Sequence, residues 1–180
     1  MVLIVKNDRM KSICLNGFIC SESDEKICKI VVVLKEDGFF EKIHLLLLDE
    51  TIPLEENAMP LKDSPVAELI LSQYHENEAV IPHKPLGSTD FTQTVYKKLF
   101  SIPFGRKVTY QELAKECGNE KAARAVGNAM RINPLPIIYP CHRVVGKDGL
   151  RGFVGKNPEY LKIKEKLLDM ENRGERIRIM

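Results

Sequence analysis

Apolar residues in the first half of the chain are arranged as they are in β-strands. Two β-rich runs, residues 29–36 and 39–48, flank the dipeptide Asp37-Gly38, which suits a tight hairpin turn with positive φ. The apolar opening, residues 2–5, predicts another strand. The pattern therefore predicts an antiparallel hairpin within a strand-rich first half.

Two helices are predicted around the middle of the chain. Ser64 and Pro65 are typical of a cap and a first helical turn, and Asp90 is predicted to cap the second helix, which must stop before Pro103. The apolar residues of each helix recur at helical spacing, so we expect both helices to pack on a core. These residues are Val66, Leu69 and Ile70 in the first helix and Phe91, Val95 and Leu99 in the second.

A short helix, a glycine turn and a second helix follow. Residues 109–112, Thr-Tyr-Gln-Glu, form a capping box, in which the threonine and glutamate side chains bind the first free amides of a helix. Gly118 ends this helix, and the next one runs from about Asn119 to Arg131. This is the outline of a helix-turn-helix, although most helix pairs joined by glycine are packed hairpins.

The second helix of that pair combines small residues with cations. Gly127 lies inside it, where glycine costs about 1 kcal/mol relative to alanine, so we expect a neighbour to approach closely. Another helix or strand could be that neighbour, but the cations favour a polyanion. The small residues are Ala122, Ala123, Ala125, Gly127 and Ala129, and the cations are Lys121, Arg124 and Arg131.

A last helix is predicted to begin at Asn157-Pro158. Its stripe consists of Tyr160, Ile163 and Leu167, with Glu171 one turn further along. The final residues, 171–180, are mostly polar and are predicted to fray.

Charge divides the chain into two predicted domains. Residues 1–84 hold 9 Lys and Arg against 15 Asp and Glu, a net charge of −6, whereas residues 85–180 hold 18 against 10, a net charge of +8. The change falls in a segment with two prolines and a glycine, residues 81–90, which is typical of a linker. A basic domain suits a phosphate-binding surface, although a solvated lysine-rich helix face gives the same balance.

Composition excludes several classes of protein. A hydrophobic content of 44% with 29% charged residues is ordinary for a globular protein, and no apolar run approaches the roughly 20 residues of a membrane span. The N-terminus does not resemble a secretory signal, so we expect an intracellular protein. Five cysteines, an odd number, predict free thiols. The cysteines and histidines of the first half lack zinc-site spacing, so no metal is expected.

The run Pro140-Cys141-His142-Arg143-Val144 marks the candidate reaction centre. A thiolate is the reactive form of cysteine, and a neighbouring imidazole or cation lowers the pKa of a thiol. Cys141 is therefore predicted to be an activated nucleophile. A buried structural cysteine is the alternative that this run by itself leaves open.

Several ordered motifs of the last 95 or so residues resemble those of the O6-alkylguanine-DNA alkyltransferases. These proteins are also called methylated-DNA–protein-cysteine methyltransferases. The motifs are Val108-Thr109-Tyr110-Gln111, the Arg124-Ala125-Val126-Gly127 helix, Asn133-Pro134 and Pro140-Cys141-His142-Arg143. The resemblance implies an α+β protein of two small domains. The first, residues 1–84, would be a strand-rich, ribonuclease H-like domain; the second, residues 85–180, would be a mostly helical, winged helix-turn-helix-like domain that carries the active site.

The resemblance also implies a repair reaction with five catalytic residues. Cys141 would accept an alkyl group from O6-alkylguanine, and also from O4-alkylthymine, without turnover and without a cofactor. Tyr110 would bind or protonate the guanine ring nitrogen. His142 would act on Cys141 through a water molecule while Glu171 orients it, and Asn133 would join the DNA-binding helix to the cysteine segment.

The partner implied is double-stranded DNA, bound by a monomer that flips the damaged base out of the duplex. Arg124 would enter the base stack in place of that nucleotide, and the small residues of its helix would lie against the minor groove. Further contacts to substrate or DNA are assigned by resemblance to Ala125, Gly127, Met130, Arg131, Val144, Phe153 and Val154. Phe153 and Val154 stand where many relatives have a tyrosine and a serine, so hydroxyl contacts are lost there.

Two other functions remain open on the sequence. One is a non-catalytic sensor of alkylated DNA or a helix-turn-helix regulator, against which the presence of Cys141 argues. The other is a cysteine hydrolase that uses Cys141 and His142, which is disfavoured because adjacent residues on a tight turn rarely point at each other. Intracellular location, in the cytoplasm or in a nucleus, fits each of them.

Overall fold

The protein has an α+β fold, as predicted. The computed structural model describes residues 12–52, 58–77, 86–87, 89–153 and 157–180. The strands are β1 (Ser12–Cys20), β2 (Lys26–Lys35), β3 (Phe40–Leu46), β4 (Met59–Pro60), β5 (Val108–Thr109), β6 (Val144–Val145) and β7 (Arg178–Ile179). The helices are α1 (Pro65–Glu76), α2 (Asp90–Phe100), α3 (Tyr110–Glu116), α4 (Ala123–Arg131) and α5 (Tyr160–Asn172), with 3₁₀ turns at Glu120–Ala122 and Cys141–Arg143.

The strand-rich half is built on a sheet with the order β3-β2-β1-β4. β1, β2 and β3 are antiparallel neighbours, and β4 runs parallel to β1. The predicted hairpin between β2 and β3 is confirmed, and Gly38 has the expected positive φ of 81°. The predicted strand at residues 2–5 lies outside the described residues.

The C-terminal tail does not fray, so that prediction was wrong. β7 pairs antiparallel with β1, and the Met180 N–H donates to Phe18 O at 2.9 Å. Ile177 and Ile179 are buried and alternate with exposed residues, which is the pattern that the two-residue period of a strand produces. A Cβ on Gly17 would lie only 2.8 Å from Met180 O, so the close approach of the tail depends on this glycine.

Side-chain caps fix the helix starts. The predicted cap at Ser64 is confirmed, since its hydroxyl accepts from Ala67 N, and both bonds of the Thr109 capping box are present. The cap predicted at Asp90 was wrong: Thr89 is the N-cap, with its hydroxyl accepting from Thr92 N at 3.2 Å, and Asp90 is the first helical residue. An acidic residue there is still favourable for the helix dipole.

The last helix begins later than predicted. α5 starts at Tyr160, because the Asn157 side chain and carbonyl hold residues 157–160 in a preceding turn. Its buried face is wider than the predicted stripe and includes Ile163, Lys164, Leu167, Leu168 and Glu171.

One apolar core joins the strand-rich half to the helical half. Backbone and side-chain bonds reinforce this contact: Ile43 N donates to Pro134 O at 2.8 Å, and Tyr160 Oη donates to Glu50 Oε2 at 2.8 Å. The predicted boundary between residues 84 and 85 lies outside the described residues. Within the residues that the structure describes, no helix is long and apolar enough to cross a membrane.

Candidate functional site

Cys141 is completely buried and begins the 3₁₀ turn Cys141–Arg143. Pro140 precedes this turn, and β6 follows it at once and pairs in parallel with β5, the strand that leads into α3. The turn therefore places the cysteine next to the start of the predicted helix-turn-helix. All five cysteines are free thiols.

The resting Cys141 thiol is protonated, contrary to the prediction of a lowered pKa. Burial raises its pKa to about 11, although the Asn133 amide, the Lys164 cation and the amides of the turn lower it in part. The reason is geometric. His142 and Arg143, which were expected to activate the thiol, direct the imidazole Nε2 and the guanidinium to Glu171 instead.

His142, Arg143 and Glu171 form a buried cluster. His142 Nε2 lies 2.8 Å from Glu171 Oε1, and Arg143 Nε and Nη2 donate to the same oxygen at 3.0 Å. The second carboxylate oxygen accepts from Gly105 N at 3.0 Å. Arg143 also donates to the carbonyls of Ile102 and Tyr74. Glu171 is thus held by four donors and binds α5 to the cysteine turn.

In this cluster Glu171 is an ionised carboxylate and His142 is a neutral imidazole. Burial raises the pKa of Glu171, but His142 and Arg143 outweigh it and bring the pKa to about 2. Burial lowers the pKa of His142, assisted by Arg143 and Lys164 and opposed by Glu171. His142 Nδ1 is buried and has no hydrogen-bond partner among the described residues. This nitrogen is consequently available to take up a proton.

Asn133 shapes the segment that leads into the cysteine turn. Its amide donates to Tyr139 O at 2.9 Å, and its Oδ1 accepts from Leu135 N at 3.1 Å. Within the segment Ile137 has a φ of 76°, which is strained for a β-branched residue. The two bonds of Asn133 span this strained residue and fix the path of the chain from α4 to Cys141.

Tyr110, at the start of α3, closes another side of the site. Its hydroxyl donates to Arg151 O at 2.6 Å, and burial and the nearby Cys141 raise its pKa to about 12. A Cβ on Gly152, whose φ is 56°, would lie 3.0 Å from this hydroxyl. The tyrosine therefore keeps its proton and lies against a turn that needs glycine.

Lys164 is a completely buried cation that holds the same turn. Its ammonium group donates to three backbone carbonyls, those of Val144, Arg151 and Gly152, at 2.6, 3.0 and 2.7 Å. Burial lowers its pKa to about 8, and Cys141 opposes that shift. Lys164 thus joins α5 to both ends of the loop that follows the cysteine turn.

α4 presents the predicted basic surface. Arg124, Ala125 and Arg131 are exposed, whereas Met130 is buried. Arg131 donates to Asn128 Oδ1 at 2.8 Å. A Cβ on Gly127 would lie 3.9 Å from Tyr110 Cε1, an ordinary contact, so packing within the described chain does not require a glycine there.

Most residues predicted from the resemblance lie in or around this site. Val144 and Phe153 are buried, and the Val144 carbonyl accepts from Lys164. Val154 lies outside the described residues. Within the described part of the chain, His, Cys, Asp and Glu form no cluster that could hold a metal ion.

Sequence reasoning assigned no role to Lys164 or Tyr74, and it gave Arg143 only an effect on the pKa of the thiol. Arg143 belongs to the cysteine run, but its burial could not be read from that run. Lys164 did carry a signal, because it lies four residues after Tyr160 and three before Leu167, on the stripe predicted to be buried. A lysine is almost never fully buried without partners, so its position marks a specific role.

The structure combines a buried cysteine centre with a basic helix surface, which is the arrangement of a thiol-dependent protein that handles a polyanion. A family model described as the 6-O-methylguanine DNA methyltransferase, DNA binding domain, matches residues 90–173. The solved structure of Mycobacterium tuberculosis OGT in complex with DNA is 30% identical, with a TM-score of 0.60, and the match covers 86% of this chain and 92% of that one. The chain belongs to the O6-methylguanine-DNA methyltransferase family.

Individual relatives agree with this assignment. The human methylated-DNA–protein-cysteine methyltransferase is 43% identical over 106 residues, which cover 54% of this chain and 50% of that protein. The mouse protein of the same name is 50% identical over 82 residues, which cover 44% of this chain and 39% of that protein. The chain thus spans about half the length, or less, of these curated relatives.

Proposed function

We propose that this protein repairs DNA by transferring the methyl group of O6-methylguanine irreversibly to Cys141. The observation that carries the proposal is the buried Cys141, next to a neutral His142 whose free nitrogen can take up the thiol proton while Glu171 holds the other nitrogen. Membership of the family supports the assignment of substrate. O4-alkylthymine is a second substrate of the same chemistry.

The reaction begins with loss of the thiol proton. Cys141 Sγ gives it, through a water molecule, to His142 Nδ1, and the carboxylate of Glu171 stabilises the imidazolium that forms. Sγ then attacks the methyl carbon, and the bond from that carbon to O6 breaks with its electron pair left on the purine. The product thioether has no easily displaced leaving group, so one molecule repairs one lesion.

Tyr110 supplies the balancing proton. Its hydroxyl, which now donates a hydrogen bond to Arg151 O, would turn to the purine ring nitrogen. It would give its proton to that nitrogen as O6 becomes a carbonyl. The proton that left Cys141 restores the tyrosine over the whole reaction. Glu171 and Asn133 act through other groups and are positioning residues in this scheme, and no cofactor takes part.

The helical half is proposed to bind double-stranded DNA through α4. Arg124 and Ala125 are exposed near the start of α4, where Arg124 would replace the extruded base and the small residues would face the minor groove. Gly127, Met130 and Arg131 belong to the same helix and are proposed to contact DNA or the flipped base. The Val144 carbonyl accepts from Lys164 and has a second lone pair that could accept from guanine. Phe153 would complete the pocket wall, and the resemblance also assigns Val154 a contact to the substrate.

The fold supports finer assignments that we also propose. The order β3-β2-β1-β4, with β4 parallel to β1, supports a ribonuclease H-like sheet, and the β5-β6 pair beside α3 and α4 supports a winged helix-turn-helix. Residues 1–84 and 85–180 are the two domains. The protein would act as a monomer inside the cell.

Intact-mass measurement tests the proposed function. After incubation with duplex DNA that contains one O6-methylguanine, the mass should rise by one CH₂ unit, with the modification on Cys141. Duplex with unmodified guanine is the control. Binding of the modified duplex without any mass change would instead support the sensor, and cleavage of ester or amide substrates would support the hydrolase.

Replacing Tyr110 with phenylalanine tests the proton donor. We expect the transfer rate at saturating DNA to fall about 100-fold, because a positioned acid contributes roughly that much or more. The measurement is single-turnover transfer followed by mass. Tyr160→Phe removes a hydroxyl that bonds to Glu50 instead and should leave the rate unchanged. A normal rate in Tyr110→Phe would remove Tyr110 from the mechanism.

Replacing Arg124 with alanine tests base flipping. Extruding a base costs a few kcal/mol, so the loss of the side chain that takes its place should slow repair of duplex DNA roughly 10- to 100-fold. Reaction with free O6-methylguanine, which needs no flipping, should not change. Lys166→Ala removes an exposed cation that pairs with Glu25 and serves as the control. Equal losses on both substrates would contradict the role given to Arg124.

A further inference from the structure

Tyr74 connects the strand-rich half to the catalytic cluster. It lies in α1, before the segment that the family model matches, and only 1% of its surface is exposed. Its ring stacks on the His142 imidazole, with the ring centroids 5.5 Å apart and the planes 18° from parallel.

Tyr74 also contacts Arg143, the cation that is paired with Glu171. The Arg143 guanidinium carbon lies 5.0 Å from the centroid of the tyrosine ring, and Arg143 Nη2 donates to Tyr74 O at 2.8 Å. Phe104 packs edge-on against the same ring at 5.8 Å. The tyrosine therefore contacts both residues that flank the carboxylate, and its own position is fixed by packing.

The stacked Tyr74 ring constrains the orientation of His142 in a way that Glu171 does not. The bond from Nε2 to Glu171 fixes one point of the imidazole but leaves rotation about that bond open, whereas a parallel ring on its face fixes its plane. The face of an aromatic ring carries partial negative charge and attracts a cation within about 6 Å. It therefore stabilises the imidazolium more than the neutral imidazole.

We propose that Tyr74 is a positioning residue for the proton transfer from Cys141, and that its ring holds the His142 plane and stabilises the imidazolium. This inference rests on the proposed methyl transfer. The charged groups that act on His142 are Glu171, Arg143 and Lys164. His75, which lies edge-on to Tyr74, is kept neutral by burial and nearby cations, which lower its pKa to about 4. Tyr74 thus gives the strand-rich half a part in the chemistry.

Single-turnover methyl transfer to Cys141 at saturating duplex DNA, measured across pH, tests this. At neutral pH, Tyr74→Leu should transfer about tenfold more slowly than the wild type, with an unchanged DNA concentration for half-saturation. The defect should shrink as the pH rises towards the pKa of the Cys141 thiol, where the thiolate forms without His142. Tyr74→Phe keeps the ring and should react within about twofold of the wild type.

Ile70→Ala is the matched control, because it removes buried volume one turn earlier in α1 and should lower the melting temperature without slowing transfer by the folded protein. If Tyr74→Leu does not fold, Tyr74→Met fills the space without a π face and replaces it. A normal rate in Leu or Met, an equal defect in Phe, or an equal defect in Ile70→Ala would overturn the proposal. Failure of the wild type to accept a methyl group would instead refute the proposed function.

Discussion

Cys141→Ser is expected to bind duplex DNA that contains O6-methylguanine and to acquire no methyl group. Serine is nearly isosteric with cysteine, so the buried site should keep its shape, but a hydroxyl is a far weaker nucleophile at this carbon than a thiolate. Loss of a nucleophile costs at least roughly 10⁴-fold in rate. Intact mass measures the transfer, and a shift in gel mobility measures the binding.

Cys117→Ser is the matched control for this variant. Cys117 is the other thiol of the helical half, is partly exposed and lies at the C-terminal end of α3. The Cys117→Ser protein should transfer the methyl group to Cys141 at the wild-type rate. Methylation of the Cys141→Ser protein would show that another side chain accepts the group, and would refute the assignment of Cys141.

Arg143→Met is expected to destabilise the fold by about 3–5 kcal/mol, the usual result of removing one partner from a buried ion pair. The substitution leaves Glu171 with fewer donors and leaves the carbonyls of Ile102 and Tyr74 without the bonds they now accept. Urea unfolding followed by circular dichroism measures the free energy of unfolding. Methionine fills similar space, so lost volume should contribute little.

Arg173→Met provides the contrast. Arg173 forms an ion pair with Glu175 in which the arginine is exposed and the glutamate is partly exposed, and such surface pairs contribute about 1 kcal/mol or less. Equal destabilisation by the two substitutions would contradict the weight placed on the buried cluster. A similarly small effect of both would show that Glu171 finds another partner when Arg143 is removed.

The dependence of stability on pH gives a second readout of the same cluster. The folded pKa of Glu171 is lowered from 4.5 to about 2, so its contribution is present above pH 4.5 and is lost as the pH falls towards 2. Arg143→Met removes part of that shift. Its free energy of unfolding should therefore change less than that of the wild type between pH 5 and about 2.

Local features of the fold could be predicted from the sequence where the interacting residues all lie in one short segment. The capping box at Thr109, the Ser64 cap and the Asp37-Gly38 hairpin each depend on residues within a few positions of one another. The error at Asp90 was of the same local kind, because Thr89, the residue before it, is the better cap.

Features that depend on distant partners were not readable. The tail was predicted to fray because its composition is polar, but Ile177 and Ile179 are buried, and β7 pairs with a strand near the other end of the chain. Cys141 was expected to have a lowered pKa because a histidine and an arginine follow it. The fold turns both of them to Glu171 and buries the thiol, and burial then dominates its pKa.

By itself the sequence determined the α+β class and predicted the helix-turn-helix outline and a candidate nucleophile with its neighbours, because local periodicity, caps and an ordered run of motifs are written in consecutive residues. The tertiary structure decided which charges meet. Tyr74 and Glu171 come from separate parts of the chain, and only folding brings them to His142 and Arg143. Electrostatic effects depend on distance and burial, and neither is defined until the chain has folded.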